Sequence, residues 1–371
     1  MFTIPKTMRA VVYRGVNNLR LETVPVPRVG ANELLVKVAV CGVCPTDIKK
    51  IHYGTVAPPR IFGHETAGII VKTGSGVANR GLALKIGDRV ALHHHVPCLD
   101  CHFCRHRAFA QCETYKRTGI TAGFEPAGGG YAEYVRVMDF VLPGVVKIPA
   151  SNSFEEGAML EPVNTVLKAV KRLNLLRGDN VLVAGQGPIG LMFTKILQLR
   201  GINVLATDLL ESRLKLAKQF GAQWTARVQS AKSEVRSLEA LDAGIIAVPS
   251  NDAVAQAMQL VRGGGQVLLF AHTRRRDPVK QGEKRKEKSG NVFEPLDFAS
   301  ICLDEKDLIG SYSSDFTIQN EVARLVFSRR LDVRPLITHR FPLQQTADAV
   351  ALASRPTESS LKIVVEHGIT R

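Results

Sequence analysis

The stretch Leu182-Val-Ala-Gly185-Gln-Gly187-Pro188-Ile189-Gly190 decides how this chain folds. The aliphatic run Val181 to Ala184 predicts a buried strand, and Ile189 to Arg200 carries a helical period directly after it. A G-x-G-x-x-G turn between strand and helix is a dinucleotide-binding signature with a mechanism. Gly185 permits the tight turn, Gly187 lets a backbone approach a pyrophosphate, and Gly190 lets the helix pack on the strand. The free amides around Pro188 and Ile189, at the helix start, suit anionic phosphates. The next predicted strand, Val204 to Thr207, runs into Asp208, 18 residues after Gly190. A carboxylate there accepts bonds from ribose hydroxyls and repels a 2′-phosphate, which favours NAD over NADP. Leu209 and Leu210 offer no cation for that phosphate, while Arg213 is near enough to keep NADP open as the alternative.

Outward from this turn the alternation continues. Helix Glu211 to Phe220, strand Gly244 to Val248, helix Asp252 to Val261, and strands Gly265 to Phe270 and Asp307 to Ser311 imply a doubly wound parallel sheet. Before it, Phe154 to Leu173 reads as one helix. The first part of the chain is different, with short β-rich runs at Leu34 to Val40, Gly68 to Lys72, Asp88 to Leu92 and Tyr131 to Val137. After a helix-like stretch, Ile318 to Arg330, the tail turns irregular and β-rich again, with a last strand at Leu361 to Val365, and is expected to rejoin the first part. The expected division is therefore 1–163 and 313–371 for a mostly β domain, interrupted by 164–312 for the α/β domain.

The 371 residues are 45% hydrophobic and 22% charged, enough apolar content for about two cored domains and too much for a disordered chain. No apolar run resembles a secretory signal or a membrane span: the most apolar window, Val181 to Leu199, is interrupted by Gln186, Lys195 and Gln198. Seven cysteines, four of them within 15 residues, suit reduced thiols better than a disulfide framework, so a cytoplasmic protein is expected. Lys and Arg number 49 against 34 Asp and Glu, a formal charge of +15, and a third of that excess lies in His272 to Gly290. That segment has little to bury and reads as an exposed loop.

Two groups of residues have metal-binding chemistry. Cys98, Cys101, Cys104 and Cys112 provide four thiolates in a short loop, which matches a closed, structural tetrahedral zinc. The second group is scattered: Cys44-Pro-Thr46-Asp47, Gly63-His64-Glu65 and Glu161-Pro162. Together these offer a thiolate, an imidazole and carboxylates, the donor set of an open catalytic zinc. The run His93-His94-His95 reads as structural or pocket-lining, because neighbours on a strand face opposite sides and cannot converge on one ion.

These motifs, in this order, together with Gly87-Asp-Arg-Val90, Gly128-Gly-Gly-Tyr-Ala-Glu-Tyr134 and Pro335-Leu-Ile-Thr-His339, resemble the zinc-dependent medium-chain alcohol dehydrogenases over nearly the whole chain. The resemblance implies a GroES-like catalytic domain interrupted by a Rossmann domain, and a homodimer or homotetramer. It implies hydride transfer from a secondary alcohol to NAD, giving the ketone. Two zincs per chain follow from it, a structural one on the four cysteines and a catalytic one. Cys44 and His64 carry over as catalytic zinc ligands, with Glu65 and Glu161 as a third and an exchangeable fourth. Thr46 carries over as the residue that passes the hydroxyl proton outward, and Asp47 as the acceptor that orients His64. Glu161-Pro162 resembles the polyol and threonine dehydrogenase branch, which points to polyols, sugar alcohols or amino alcohols. Two positions differ from relatives. Lys49 stands where many have the histidine that ends the proton relay, with His52 three residues on, and Ser313-Ser314 stand where sorbitol dehydrogenases have an Arg-Tyr pair.

Other functions remain to be weighed against this one. The basic segment, through Arg274 to Arg276, suits a phosphorylated polyol or sugar, and the net charge suits a zinc-containing nucleic-acid-binding protein. Against nucleic acid, no basic recognition helix follows Cys112. A scaffold that binds NAD without turnover would not need the complete set Cys44, His64, Glu65 and Glu161.

Overall fold

The computed structural model describes residues 3–93, 95–118, 128–231, 233, 240–271 and 298–368. The basic segment with Arg274 to Arg276, and His94, lie outside them. The chain forms two compact units, Met1–Lys168 with Ser313–Arg371, and Ala169–Tyr312.

In the second unit six strands form an all-parallel sheet: Asn180–Ala184, Asn203–Asp208, Trp224–Arg227, Leu241–Ile246, Val261–Leu269 and Asp307–Gly310. Taking these as first to sixth, their spatial order is 3-2-1-4-5-6, the doubly wound arrangement whose order reverses beside the first strand. Helix Pro188–Leu199 begins three residues past the turn glycine Gly185 and buries Leu191, Met192, Phe193, Ile196 and Leu197. Buried aliphatic runs explain most of these strands. The two edge strands are the exceptions: Asp307–Gly310 fully buries no residue, and Trp224-Thr-Ala-Arg buries only Ala226 and shows no periodicity in the sequence.

The first unit carries two sheets. In the larger, Leu34–Gly42 pairs antiparallel with Glu65–Thr73 and with Tyr134–Val137, and Glu65–Thr73 pairs with Arg89–Leu92. The returning tail joins it, since Lys362–Glu366 pairs antiparallel with the end of Leu34–Gly42 and parallel with Ile337–Pro342. A smaller sheet joins Thr7–Gly15 to Asn18–Pro25 and Arg60–Ile61. Tyr13, Phe62 and Tyr131 are fully buried in the core beneath it. The helix-like stretch Ile318 to Arg330 holds the α-helix Gln319–Phe327, and the tail after it is more helical than its composition implies, with Thr346–Ser354 also α-helical. The single helix expected over Phe154 to Leu173 is two, Phe154–Ala158 and Leu160–Val170, separated at Met159.

The first of those helices opens on a capping box: Ser153 Oγ accepts from the Glu156 amide at 3.1 Å and Glu156 accepts from the Ser153 amide at 2.7 Å. Glu156 is buried and also accepts from Asn152 Nδ2 at 2.9 Å and Arg329 Nε at 3.0 Å. Burial alone would raise its pKa, but the Arg329 and Ser153 donors outweigh burial and hold the carboxyl below its ordinary range. A depressed carboxyl stabilises the fold above its unfolded pKa, and that stability is lost as pH falls through the folded value. Glu156→Gln is therefore expected to cost about 1–3 kcal/mol near pH 7. The deficit should begin to shrink below the ordinary Glu pKa of about 4.3 and should vanish once pH has fallen through the lower folded value. Denaturant unfolding across that range checks this, and a deficit independent of pH would show that the charge is not what matters.

Candidate functional site

In the first unit, helix Pro45–Tyr53 has Cys44 as its N-cap and Pro45 at its first position, so the chain leaves Leu34–Gly42 and turns directly into the helix. Cys44 Sγ accepts from the Thr46 amide at 3.4 Å. His64 and Glu65 stand where the partner strand of Leu34–Gly42 begins, and Glu65 pairs with Gly42 in the ladder. The pairing therefore joins residues distant in sequence: one ligand atom each from Cys44, His64 and Glu65 lies within 4.8 Å of the other two.

Supporting contacts fix these three side chains. Asp47, fully buried, lies 3.1 Å from His64 Nδ1 and accepts from the Gly63 amide at 3.2 Å. Burial would raise its pKa, but His64 and the Gly63 amide outweigh burial, and the carboxyl stays below its ordinary range. The sequence signals Asp47 in this role. It does not signal Lys362, a lysine on the last strand, which pattern reading would place in solvent. Lys362 is buried, and its ammonium lies 2.5 Å from Glu65 Oε1 and 3.0 Å from the Val43 carbonyl. The field of Glu65 overcomes burial and keeps this ammonium protonated.

Glu161 stands outside the group of three. It is buried on helix Leu160–Val170 with Oε1 3.5 Å from His95 Nδ1. Burial, reinforced by Glu65 and Asp47, raises its carboxyl to about 7. His95 and His93 lie two residues apart, and both reach Ser314 Oγ, at 2.6 and 3.4 Å. The histidine run is thus partly a site wall, with the His95 ring centroid 6.4 Å from that of His64. Thr46 and Lys49 are half-buried on the Cys44 helix, and burial lowers the Lys49 pKa. His52 is held by Asn17 Oδ1 and by Ser354 Oγ, the latter at 2.8 Å.

Cys98, Cys101, Cys104 and Cys112 bring their sulfurs within 4.8 Å of one another. The Cys101–Cys104 and Cys98–Cys104 separations are 3.5 and 3.9 Å. A regular tetrahedron with 2.3 Å zinc–sulfur bonds has edges of about 3.8 Å. Backbone amides, Asp100 first, pull the Cys98 thiol down to about 6, whereas burial pushes Cys104 up to about 12. A cation among the four sulfurs would hold all of them as thiolates, so the donor set fits zinc.

In the second unit Gly185 has φ +91°, the left-handed region that favours glycine. A Cβ on Gly190 would fall 1.8 Å from the Gly185 carbonyl oxygen, so helix and turn touch backbone to backbone. A Cβ on Gly187 would meet no protein atom, which leaves the approach to the helix start open. Asp208 takes part in the turn as well as ending its strand: its carboxylate accepts from the Gln186 amide at 2.6 Å and the Leu210 amide at 3.0 Å. With about four lone-pair sites, a carboxylate so engaged retains capacity for ribose hydroxyls. Arg213 is buried, which lowers its pKa, and Asp208 opposes that shift.

A doubly wound sheet with a phosphate-binding turn, in one chain with a thiolate–imidazole–carboxylate centre, defines a metal-dependent dehydrogenase that uses a dinucleotide. Residues 30–150 match the family model of the alcohol dehydrogenase GroES-like domain, and residues 188–328 match that of the zinc-binding dehydrogenases. A sorbitol dehydrogenase from Bacillus subtilis (strain 168) is 30% identical, with 98% of each chain covered. An L-idonate 5-dehydrogenase from Vitis vinifera is 29% identical, covering 89% of this chain and 87% of that one. Among solved structures, galactitol-1-phosphate dehydrogenase from Escherichia coli matches with a TM-score of 0.80 and 26% identity, over 97% of this chain and 100% of the other. The chain belongs to the zinc-dependent medium-chain alcohol dehydrogenase family. It is a zinc-dependent alcohol dehydrogenase with a GroES-like domain and a Rossmann-type parallel sheet. Among the described residues no helix is long and apolar enough to cross a membrane.

Proposed function

We propose that this enzyme oxidises the secondary hydroxyl of a polyol, sugar alcohol or amino alcohol to a ketone, in a reducing, cytoplasmic compartment. The observation that carries the reading is the gathering of Cys44, His64 and Glu65 within 4.8 Å. In balance, the alcohol gives up a hydride from carbon and a proton from oxygen, and NAD becomes NADH. Bound at this centre and at the Gly185–Gly190 turn, zinc would supply Lewis acidity to the hydroxyl and NAD the hydride acceptor.

This chain's residues supply the rest. The contact between Asp47 and His64 Nδ1 fixes the ring and leaves Nε2 as the ligand atom. Lys362 holds Glu65 in place, so the carboxylate that would be the third ligand is anchored rather than mobile. Glu161, buried beside the centre with Oε1 3.5 Å from His95 Nδ1, would serve as the fourth, replaceable ligand. Thr46, in the first turn of the helix that Cys44 caps, takes the hydroxyl proton and passes it outward. In the second unit the amides after Gly187 hold the pyrophosphate, and Asp208 holds the ribose and disfavours a 2′-phosphate.

The test is NADH formation by zinc-loaded protein with glucitol, threonine, simple secondary alcohols and phosphorylated sugar alcohols, with NAD or NADP. The expected result is turnover of the polyols or of threonine, with NAD preferred. No reduced cofactor with any member would overturn the proposal. A preference for phosphorylated members would move the substrate to the phosphorylated class.

A further inference from the structure

Gln186, between the first two glycines of the turn, is fully buried, although its position in G-x-G-x-x-G leaves the side chain unspecified. Its carboxamide Nε2 donates to the Val183 carbonyl at 3.0 Å, and its Oε1 accepts from the Thr194 hydroxyl at 3.0 Å. Val183 lies on the first strand of the parallel sheet, and Thr194, also fully buried, on the helix that follows the turn. One side chain therefore ties the strand before the turn to the helix after it. The Gln186 backbone N–H donates to Asp208 Oδ2 at 2.6 Å, which adds the second strand to the same junction. A Cβ on Gly190 would lie 3.7 Å from Gln186 Cδ, so the carboxamide packs against the bare helix start. Pro188 has no N–H, and the Leu191 N–H is already bonded to the Gly187 carbonyl at 3.0 Å. The helix start thus offers a pyrophosphate few amides, and affinity depends on how well they are aimed before the anion arrives.

We propose that Gln186 and Thr194 are positioning residues for the dinucleotide: their buried contact pre-sets the turn amides and the Asp208 carboxylate, and so governs cofactor affinity through the backbone. The proposal rests on the dinucleotide reading of this turn and adds to it two side chains that the glycine signature does not specify. With the contact in place the turn is ordered in advance. Without it the ligand must order the turn, and the apparent affinity falls by the fraction of molecules in which the amides are aimed.

The experiment uses the zinc-loaded full chain. Thr194→Val removes the hydroxyl with little change of shape and leaves the turn sequence intact. A fluorescence titration with NADH is expected to give a Kd about tenfold above that of the parent, and Thr194→Ser to restore the parent value. In turnover the same factor should appear in KM for NAD and not in KM for the alcohol. Gln186→Leu removes the contact from the other side, and adding Thr194→Val to it should bring no further loss, because the two residues act through one contact. Hydrogen exchange in the dinucleotide-free chain supplies a readout independent of the cofactor: Val183 to Leu191 should exchange faster in Thr194→Val than in the parent. An unchanged Kd in Thr194→Val, with or without a lower Tm, or losses that add in the double variant, would overturn the proposal. If the parent bound neither NADH nor NADPH the dinucleotide assignment would fail instead, and hydrogen exchange would still decide whether Thr194 orders the turn.

Discussion

Cys44→Ser is expected to abolish turnover while leaving the affinity for NAD nearly intact. Cys44 caps the helix Pro45–Tyr53 and supplies the only sulfur in the group with His64 and Glu65. A serine hydroxyl preserves the N-cap, so the helix survives, but it is a poor replacement for a soft thiolate toward zinc. Changes to residues that merely orient metal ligands cost roughly 10–100-fold, so loss of a ligand should exceed about 100-fold in kcat/KM. The Gly185–Gly190 turn proposed to hold the pyrophosphate lies in the other unit and shares no residue with this centre. NADH formation, zinc analysis and a fluorescence titration with NADH measure the three quantities. One of two zinc equivalents should go, with cofactor binding retained. Full activity in Cys44→Ser would refute the assignment of this centre.

Cys104→Ala should have the largest effect on stability. The segment from Cys98 to Cys112 forms only two short helical turns, His102–Arg105 and Phe109–Gln111, and exposes Leu99. It has almost no apolar core of its own, so its order depends on what joins the sulfurs. Structural zinc contributes roughly 10–16 kcal/mol in small peptides. If only a quarter of that, about 2.5–4 kcal/mol, stabilises this unit, Tm should fall by about 10 °C. Cys104 is the informative member, because it is buried and its thiol is pushed up to about 12 unless a cation holds the thiolate. Zinc content, thermal unfolding and trypsin cleavage at Arg105 and Arg107 report the outcome. Unchanged zinc content and Tm would mean that the four thiols hold no metal.

What the sequence reveals and what it conceals follow one physical rule. Signals were legible where a local pattern has one structural solution. The glycine turn needs a left-handed Gly185 and a bare Gly190, and buried aliphatic runs such as Val181 to Ala184 have no solvent-facing alternative. Strand Trp224–Arg227 was invisible because an edge strand that buries one residue has no periodicity to read. Helix Pro45–Tyr53 did carry start signals, Pro45 and Asp47, but its short and mostly polar sequence lacks an apolar stripe. At the site, Cys44, Asp47, His64 and Glu65 were readable as motif fragments, and strand pairing brings them together. Lys362 and Ser314 were not, because they reach the site through contacts with residues 297 and 219 positions away. Tertiary partners of that kind leave no local trace.

The most direct test of the central claim is NADH formation from NAD and a vicinal secondary diol before chelation, after chelation and after zinc is restored. The account predicts turnover, its loss with the metal, and its return with zinc while NADH binding persists throughout. Turnover that survives removal of all zinc would contradict it.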